Sequence, residues 1–306
     1  MTTSLPLNVL LCGRFDAAER EAWWHALRAA APQRHWLRDD TPFDRSLIDA
    51  AVIANPAPGA LTALPRLRLI QSLWAGVDKL LADATVPAQV PLARMVDPAM
   101  NAAMAETALW AVLGVHRRFF DYAAQQARAQ WQPHPQRRAD DINVLMLGAG
   151  QMGGAVATRM AAQGYRVSAW RARDAQPLAP LLAAAEIVIN LLPLTPTTRG
   201  LLDASFFAAL PRGASVVNLA RGAHVIDADL LAALDSGQLH RAVLDVFHTE
   251  PLPAAHAFWH HPQVTVLPHV AALTDERSAA QVVAANLSAL ARGAPLANVV
   301  NRARGY

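Results

Sequence analysis

Residues 142–154, INVLMLGAGQMGG, decide the fold class of this chain. A largely apolar run of strand length leads into GAGQMG, which has the G-x-G-x-x-G spacing, and a helical pattern follows. In such a turn the three glycines permit a tight bend, close approach of the backbone to a pyrophosphate and close helix packing, and the helix N-terminus binds that pyrophosphate. The stretch predicts a dinucleotide-binding α/β unit with cofactor contacts at Gly148, Ala149, Gly150, Gln151, Met152 and Gly153.

The choice of dinucleotide is indicated by SAWRAR, Ser168–Arg173. About 20 residues after the glycine turn, proteins that prefer NAD usually carry an acid for the ribose 2'-hydroxyl. This chain has Arg171 and Arg173 there, and guanidinium groups bind phosphate through charge-assisted hydrogen bonds. We therefore expect NADP (NADPH), with NAD as a weaker alternative; the other interpretation is that both arginines are plain surface charges.

Apolar runs of strand length continue on both sides of the glycine turn. YRVSAW, EIVINLL, ASVVNLA, RAVLDV and QVTVLP follow it, while NVLLC, AAVIANP, LRLIQSL and VPLAR form a separate series before it. Such runs, separated by helical patterns, are typical of parallel sheets buried on both faces. Residues 97–131 predict one long helix that could bend at Gly114, and residues 272–293 predict a last helix that could return to the first series. The fold class is thus α/β, with two Rossmann-like doubly wound parallel-sheet domains.

Composition excludes several classes of function. The 306 residues carry a formal net charge of +3 without a run of five or six like charges, so no nucleic-acid partner is expected, whereas small anions would be attracted. No apolar run approaches the roughly 18 residues of a membrane span, so a cytoplasmic protein without a membrane partner is expected. The only cysteine, Cys12, lies within NVLLC and is expected in the core.

Three chemically capable side chains each follow a predicted strand. Arg221 ends VVNLAR, Glu250 follows AVLDVFHT, and His269 follows VTVLP. Because ligands bind outside the carboxyl ends of strands in open α/β sheets, the three could converge on one site. Each alone would be a structural arginine, a solvated acid or a satisfied histidine, but together they offer a cation for a carboxylate, an acid and a proton donor.

A metal site is a further alternative, suggested by His256, His260 and His261 in HAFWHH. Pro253 and Pro262 bracket this segment closely, and no HExxH motif is present. A surface loop is therefore favoured, and no metal ligand is predicted.

Several longer motifs resemble one family along nearly the whole chain, the D-isomer-specific 2-hydroxyacid dehydrogenases. The resemblance rests on SLWAGVD (Ser72–Asp78), GAGQMG, NLLPLTPTTRGLLD, NLARGAHVIDADLLAALDSGQLHRAVLDVFHTEPLP, HPQVTVLPHVAA and NRARGY. AWRAR and NRARGY look most like the branch that reduces glyoxylate and hydroxypyruvate. The resemblance implies NADPH-dependent reduction of glyoxylate to glycolate and of hydroxypyruvate to D-glycerate.

The resemblance also implies a role for individual residues. Arg221 would clamp the 2-oxo acid, His269 would be the acid/base, and Glu250 would pair with His269. The remaining contacts would come from the backbone of Trp74, Ala75, Gly76 and Val77 to the substrate carboxylate, Asp245 to the nicotinamide carboxamide, and Leu192, Pro193 and Thr198 lining the cofactor cleft.

At the level of the whole chain the resemblance implies a substrate domain of residues 1–97 plus 270–306, flavodoxin-like, and a dinucleotide-binding domain of residues 98–269. The active site would lie in the cleft between them, and the protein would form a homodimer. Many relatives have glycine where this chain has Trp74, which leaves open whether Trp74 packs or sets the pocket size. A dehydrogenase for a bulkier 2-hydroxy acid and a non-catalytic NAD(P)-sensing protein that binds a partner remain the alternatives.

Overall fold

The computed structural model describes residues 7–173 and 176–306. The chain divides into two compact units, the first comprising residues up to Met100 together with Thr274–Tyr306, and the second Asn101–Leu273. Each unit is built on one parallel sheet. No helix in the described part of the chain is long and apolar enough to cross a membrane.

The sheet of the first unit has the strand order β2-β1-β3-β4-β5, which is the flavodoxin-like order. Its strands are β1 Asn8–Gly13, β2 His35–Arg38, β3 Ala50–Ala54, β4 Leu69–Ser72 and β5 Leu92–Ala93. Its helices include α1 Ala17–Ala30, α2 Asp78–Ala82 and, from the carboxy-terminal segment, α9 Glu276–Arg292. Asp275 caps α9 by accepting the N–H groups of Arg277 and Ser278, and Gly293 ends it at φ +65°.

The core of the first unit contains Cys12, as predicted. Its side chain is 3% exposed, and burial raises the pKa of the thiol to about 12. Strand β2 is not predicted by the apolar-run pattern. It is an edge strand in which Trp36 alone is buried, so its sequence HWLR carries only a weak strand signal.

The sheet of the second unit has the order β11-β10-β9-β8-β6-β7. Its strands are β6 Asn143–Leu147, β7 Arg166–Trp170, β8 Ile187–Asn190, β9 Ala214–Asn218, β10 Leu239–Leu244 and β11 Val264–Val266. Alternate residues of β6 enter different cores: Leu145 and Leu147 pack in one, and Val144 and Met146 in the other. Both faces of this sheet are therefore covered, and the predicted doubly wound α/β fold is confirmed.

Helices α3 to α8 complete the second unit. They are α3 Pro98–His116, which starts in the first unit, α4 Phe119–Ala127, α5 Gln151–Ala162, α6 Ala179–Ala184, α7 Ala204–Ala208 and α8 Asp227–Asp235. The prediction of one long helix over residues 97–131 is wrong. The chain breaks between α3 and α4 at Arg118, which adopts φ +60°, and the Phe120 ring packs against Gly114 where a Cβ would lie 2.3 Å from it.

Candidate active site

The carboxyl ends of the strands in the second unit are followed by predicted site residues. Gly148 follows β6, Arg171 follows β7, Leu192 follows β8, Arg221 follows β9, Asp245 follows β10 and His269 follows β11. All the strand pairs of this sheet are parallel, so these positions lie along a single edge. This edge is where open α/β sheets bind ligands.

The glycine turn has room where a dinucleotide would approach. Gly148 has φ +92°, and a Cβ there would lie 2.5 Å from the Leu191 carbonyl. A Cβ on Gly153 would lie 2.1 Å from the Gly148 oxygen, whereas one on Gly150 would meet nothing within 4 Å. Gly148 and Gly153 are therefore required by the turn itself, and the open space at Gly150 fits the backbone approach of a pyrophosphate.

The Arg171 guanidinium lies beside this turn. Its Nε donates to the Ala149 carbonyl over 2.8 Å, immediately before α5 begins at Gln151. The Arg171 terminal nitrogens form no hydrogen bond with another described residue, and both Arg171 and Arg173 are exposed. The positive end of α5 and the Arg171 guanidinium thus both favour an anionic ligand.

His269 and Glu250 form a hydrogen-bonded pair. His269 Nδ1 lies 2.8 Å from Glu250 Oε2, and the other carboxylate oxygen accepts the Phe247 N–H over 2.9 Å. A carboxylate that accepts from Nδ1–H leaves the imidazole Nε2 as the atom for proton exchange. In the described part of the chain, nothing hydrogen bonds to His269 Nε2, and the side chain is half exposed.

The backbone at His269 is held by a buried acid, Asp245. His269 has φ +57°, a left-handed conformation that side-chain-bearing residues rarely adopt. The two Asp245 carboxylate oxygens accept the N–H groups of Val270 and Ala271 over 2.7 and 3.0 Å. Asp245 is 1% exposed, and this burial raises the pKa of its carboxyl group above the ordinary value. These bonds fix the two peptides that follow the histidine.

The turn at Arg221 is held by two buried asparagines that sequence reasoning missed. Asn190 Nδ2 donates to Asn218 Oδ1 over 3.0 Å, and Asn218 Nδ2 donates to the Arg221 carbonyl over 3.0 Å. The buried His224 ring also lies against the Arg221 carbonyl, with Nδ1 at 3.2 Å. The signal available in the sequence was the Asn-Leu pair that ends both β8 (INLL) and β9 (VNLA).

The predicted cofactor-cleft residues lie in one compact loop after β8. Leu192 donates its N–H to Asn190 Oδ1 over 3.2 Å, and Thr198 Oγ1 donates to the Pro193 carbonyl over 2.7 Å. Leu192 and Thr198 are buried at 3% and 1% exposure, so their side chains shape the loop rather than face solvent.

In the first unit, the predicted substrate-binding segment Trp74–Val77 follows β4. Ser72 Oγ bonds to both the N–H and the carbonyl of Trp74 over 3.0 Å, and the Trp74 carbonyl also accepts the Met95 N–H over 3.1 Å. The Trp74 ring packs edge to face on the buried Trp23, with ring centroids 6.2 Å apart. In contrast, the N–H groups of Ala75, Gly76 and Val77 have no acceptor within residues 7–173 and 176–306.

The histidines of HAFWHH are arranged around separate carboxylates. His256 Nε2 lies 3.4 Å from Asp227, His261 Nε2 lies 3.2 Å from Asp235, and His260 is exposed. Among the residues that the structure describes, no group of three or more His, Cys, Asp or Glu side chains is placed to hold a metal.

Comparison with known proteins identifies the family. Residues 109–271 match the model of the D-isomer specific 2-hydroxyacid dehydrogenase, NAD binding domain. A glyoxylate/hydroxypyruvate reductase A from Serratia proteamaculans is 40% identical, covering 98% of this chain and 100% of the relative. The chain belongs to the D-isomer specific 2-hydroxyacid dehydrogenase family.

Solved structures of this family superimpose on nearly the whole chain. A D-isomer specific 2-hydroxyacid dehydrogenase from Xanthobacter autotrophicus, in complex with NADPH and MES, is 35% identical with a TM-score of 0.92, over 99% of this chain and 100% of that one. An NADPH-dependent glyoxylate/hydroxypyruvate reductase from Sinorhizobium meliloti, in complex with NADP and sulfate, is 34% identical with a TM-score of 0.90, over 98% and 100%. The family predicted from the motifs is confirmed, while the roles of the individual site residues stay predictions.

Proposed function

We propose that this protein reduces small 2-oxo acids, glyoxylate and hydroxypyruvate, to the corresponding 2-hydroxy acids with NADPH. The observation that carries the proposal is the 2.8 Å pair of His269 and Glu250, on the same sheet edge as the open glycine turn. The names of the relatives, which are glyoxylate/hydroxypyruvate reductases, support the substrate choice.

In this proposal the residues divide the reaction between them. NADPH, when bound, supplies the hydride that reduces the carbonyl carbon. His269 Nε2 donates the proton to the carbonyl oxygen, and Glu250, hydrogen bonded to Nδ1, keeps the ring oriented. Arg221 binds the carboxylate and carbonyl oxygens and stabilises the negative charge that develops on oxygen. The backbone N–H groups of Ala75, Gly76 and Val77 donate hydrogen bonds to the substrate carboxylate.

The cofactor preference is assigned to Arg171 and Arg173. Arg171 is tied to Ala149 through Nε alone, which leaves its two terminal nitrogens for a phosphate on the ribose. Gly148, Gly150 and the first turn of α5 hold the pyrophosphate, and the loop of Leu192, Pro193 and Thr198 lies along the cofactor.

Asp245 has two proposed roles that can be separated. The family resemblance assigns it to the nicotinamide carboxamide, and its bonds to Val270 and Ala271 favour a second role, holding the peptides after His269 in place. A carboxylate has about four lone-pair sites, so both roles can coexist.

A homodimer, a cytoplasmic location and the domain limits at 97/98 and 269/270 are further proposals that rest on the family resemblance.

The first experiment is the initial rate of NADPH oxidation with glyoxylate and with hydroxypyruvate, compared with NADH at the same subsaturating concentration. We expect turnover of both acids and a clear preference for NADPH. Preference for NADH would remove Arg171 and Arg173 from cofactor choice. If neither these two acids nor larger 2-oxo acids were reduced, the sensing function would replace the proposal.

A further inference from the structure

Arg94 lies directly after β5, at the carboxyl edge of the sheet in the first unit. Its N–H donates to the Asn298 carbonyl over 3.0 Å, and the next N–H, that of Met95, donates to the Trp74 carbonyl over 3.1 Å. Strands β4 and β5 are neighbours in the sheet. Arg94 therefore follows the strand next to β4, and the residue after it, Met95, is bonded directly to the Trp74–Val77 segment.

The Arg94 guanidinium has no partner within the described residues. Two other arginines of this unit are paired: Arg20 lies 2.5 Å from Asp39, and Arg302 donates to the carbonyls of Pro87 and Val90. Asp97, the acid nearest to Arg94 in the chain, accepts from the Ala99 N–H and the Ser278 hydroxyl instead.

Arg94 is nevertheless partly buried, and burial lowers the pKa of its guanidinium below the ordinary value. Removing a charge from water without an opposite charge or an acceptor costs free energy. A group kept in this way at the ligand-binding edge of an α/β sheet is a candidate for binding.

A second set of open donors lies on the same edge. The N–H groups of Ala75, Gly76 and Val77 have no acceptor in the part of the chain that is described, as noted above. A guanidinium and successive backbone N–H groups are all donors, and the guanidinium also carries a positive charge, so an anion satisfies both the donors and the charge.

We propose that Arg94 is a substrate-binding residue, which takes the carboxylate of the 2-oxo acid together with the N–H groups of Ala75, Gly76 and Val77. This inference rests on the proposed function and adds a charged residue of the first unit to it. Arg94 would act on substrate affinity rather than on proton transfer, which is assigned to His269.

The test is Arg94→Met, which keeps the length of the side chain and removes the charge. We expect the KM for glyoxylate to rise by about ten- to a hundredfold, the range that the loss of a charge-assisted hydrogen bond gives, with kcat and the KM for NADPH changed far less. Arg94→Lys keeps the charge but not the forked geometry of the guanidinium, so its KM for glyoxylate should lie between that of the wild type and that of Arg94→Met.

The matched control is Arg34→Met. Arg34 is also partly buried, with a buried Nε that has no described partner, but it precedes β2 at the amino edge of the same sheet. It should leave the KM for glyoxylate unchanged.

Binding is measured without turnover by calorimetric titration of the full chain, loaded with NADP, with oxalate, a dianion of similar shape to a 2-oxo acid. Arg94→Met should weaken oxalate binding about as much as it raises the KM, whereas Arg34→Met should not weaken it. Because Arg94 has no partner to lose, its replacement should leave Tm unchanged or higher. A fall in Tm of several degrees would assign Arg94 to the structure of the unit and overturn the proposal.

The same experiments separate this inference from the proposed function. If the wild type reduces glyoxylate, and the KM and the oxalate affinity of Arg94→Met equal those of the wild type, the inference is wrong and the function stands. If the wild type reduces no 2-oxo acid but binds oxalate in an Arg94-dependent way, the proposed function is wrong and the anion site stands.

Discussion

The carboxyl edges of the two sheets satisfy their polar groups in opposite ways. In the second unit, Glu250 is bonded to His269, Asp245 to two backbone N–H groups, and Asn190 to Asn218. In the first unit, the N–H groups after Trp74 and the Arg94 guanidinium have no partner among the described residues. The groups around His269 on the second edge are bonded to one another before any ligand arrives, while the first edge keeps its donors open.

This difference separates two requirements of an enzyme. Groups that transfer protons need a fixed orientation, and neighbouring hydrogen bonds provide it before the reaction starts. Groups that only bind a substrate need unused donors. Substitutions of the bonded groups around His269 should therefore lower kcat, whereas loss of an open donor on the first edge should raise the KM for the substrate.

The largest expected effect is that of His269→Ala. Without the proton donor, kcat for glyoxylate should fall by about a hundred- to ten-thousandfold, the usual contribution of general acid catalysis. The Kd for NADPH, measured by fluorescence titration, should stay within about twofold, since the glycine turn is untouched. The control is His260→Ala, which removes an exposed histidine and should have no effect on kcat. A strong residual rate in His269→Ala would take this residue out of the mechanism.

The next effect tests the two exposed arginines that follow β7, Arg171 and Arg173. Replacing Arg171 and Arg173 together by serine should raise the KM for NADPH by about ten- to a hundredfold and change the KM for NADH far less, because only NADPH carries the extra phosphate.

Arg166→Ser is the matched control for that pair, since Arg166 is an exposed arginine at the other end of the same strand, β7. An unchanged ratio of the two KM values in the double variant would mean that both arginines are surface charges. It would also mean that the residues after β7 supply no donor for the cofactor phosphate.

Asp245→Asn tests how far the paired edge depends on its buried acid. The amide has one acceptor oxygen, so one of the N–H groups of Val270 and Ala271 would face an NH2 group, and an unsatisfied buried donor costs about 1–3 kcal/mol. We expect kcat to fall by roughly tenfold with the Kd for NADPH unchanged if the main role is to hold His269. Asp235→Asn, an exposed acid in the same unit, is the control. Loss of NADPH affinity at constant kcat would favour the contact with the nicotinamide carboxamide instead.

The sequence predicted which residues lie at the carboxyl edge of the second sheet, but not the hydrogen bonds that hold them there. The positions of Arg221, Glu250 and His269 after strands followed from apolar runs, because a buried parallel strand needs a continuous apolar stretch. The Asp245 bonds were not predictable in this way, since they accompany the left-handed backbone at His269, and that conformation is uncommon even for histidine.

Elements with a weak apolar pattern were the ones missed. The edge strand β2 buries only Trp36, and the break between α3 and α4 lies at Arg118, near the point where Phe120 packs against Gly114. Arg94 gave no sequence signal either. An arginine after a strand is common, and only the absence of an acid partner in the folded unit distinguishes it.

The smallest expected effect is that of Trp74→Gly. The Trp74 ring is half buried against Trp23, and an aromatic pair of this kind contributes about 0.5–1.5 kcal/mol beyond its buried area. The variant should lose a few degrees in Tm, while the KM for glyoxylate changes little, because the bonds from Ser72 and Met95 reach the backbone of residue 74 and not its ring. Trp74→Phe, which can keep an edge-to-face contact, should recover part of the lost Tm.

The opposite result would change the interpretation of the first edge. If Trp74→Gly keeps the Tm of the wild type and gains turnover of phenylpyruvate, the Trp74 ring limits the size of the substrate. The open edge would then select the side chain of the substrate as well as its carboxylate.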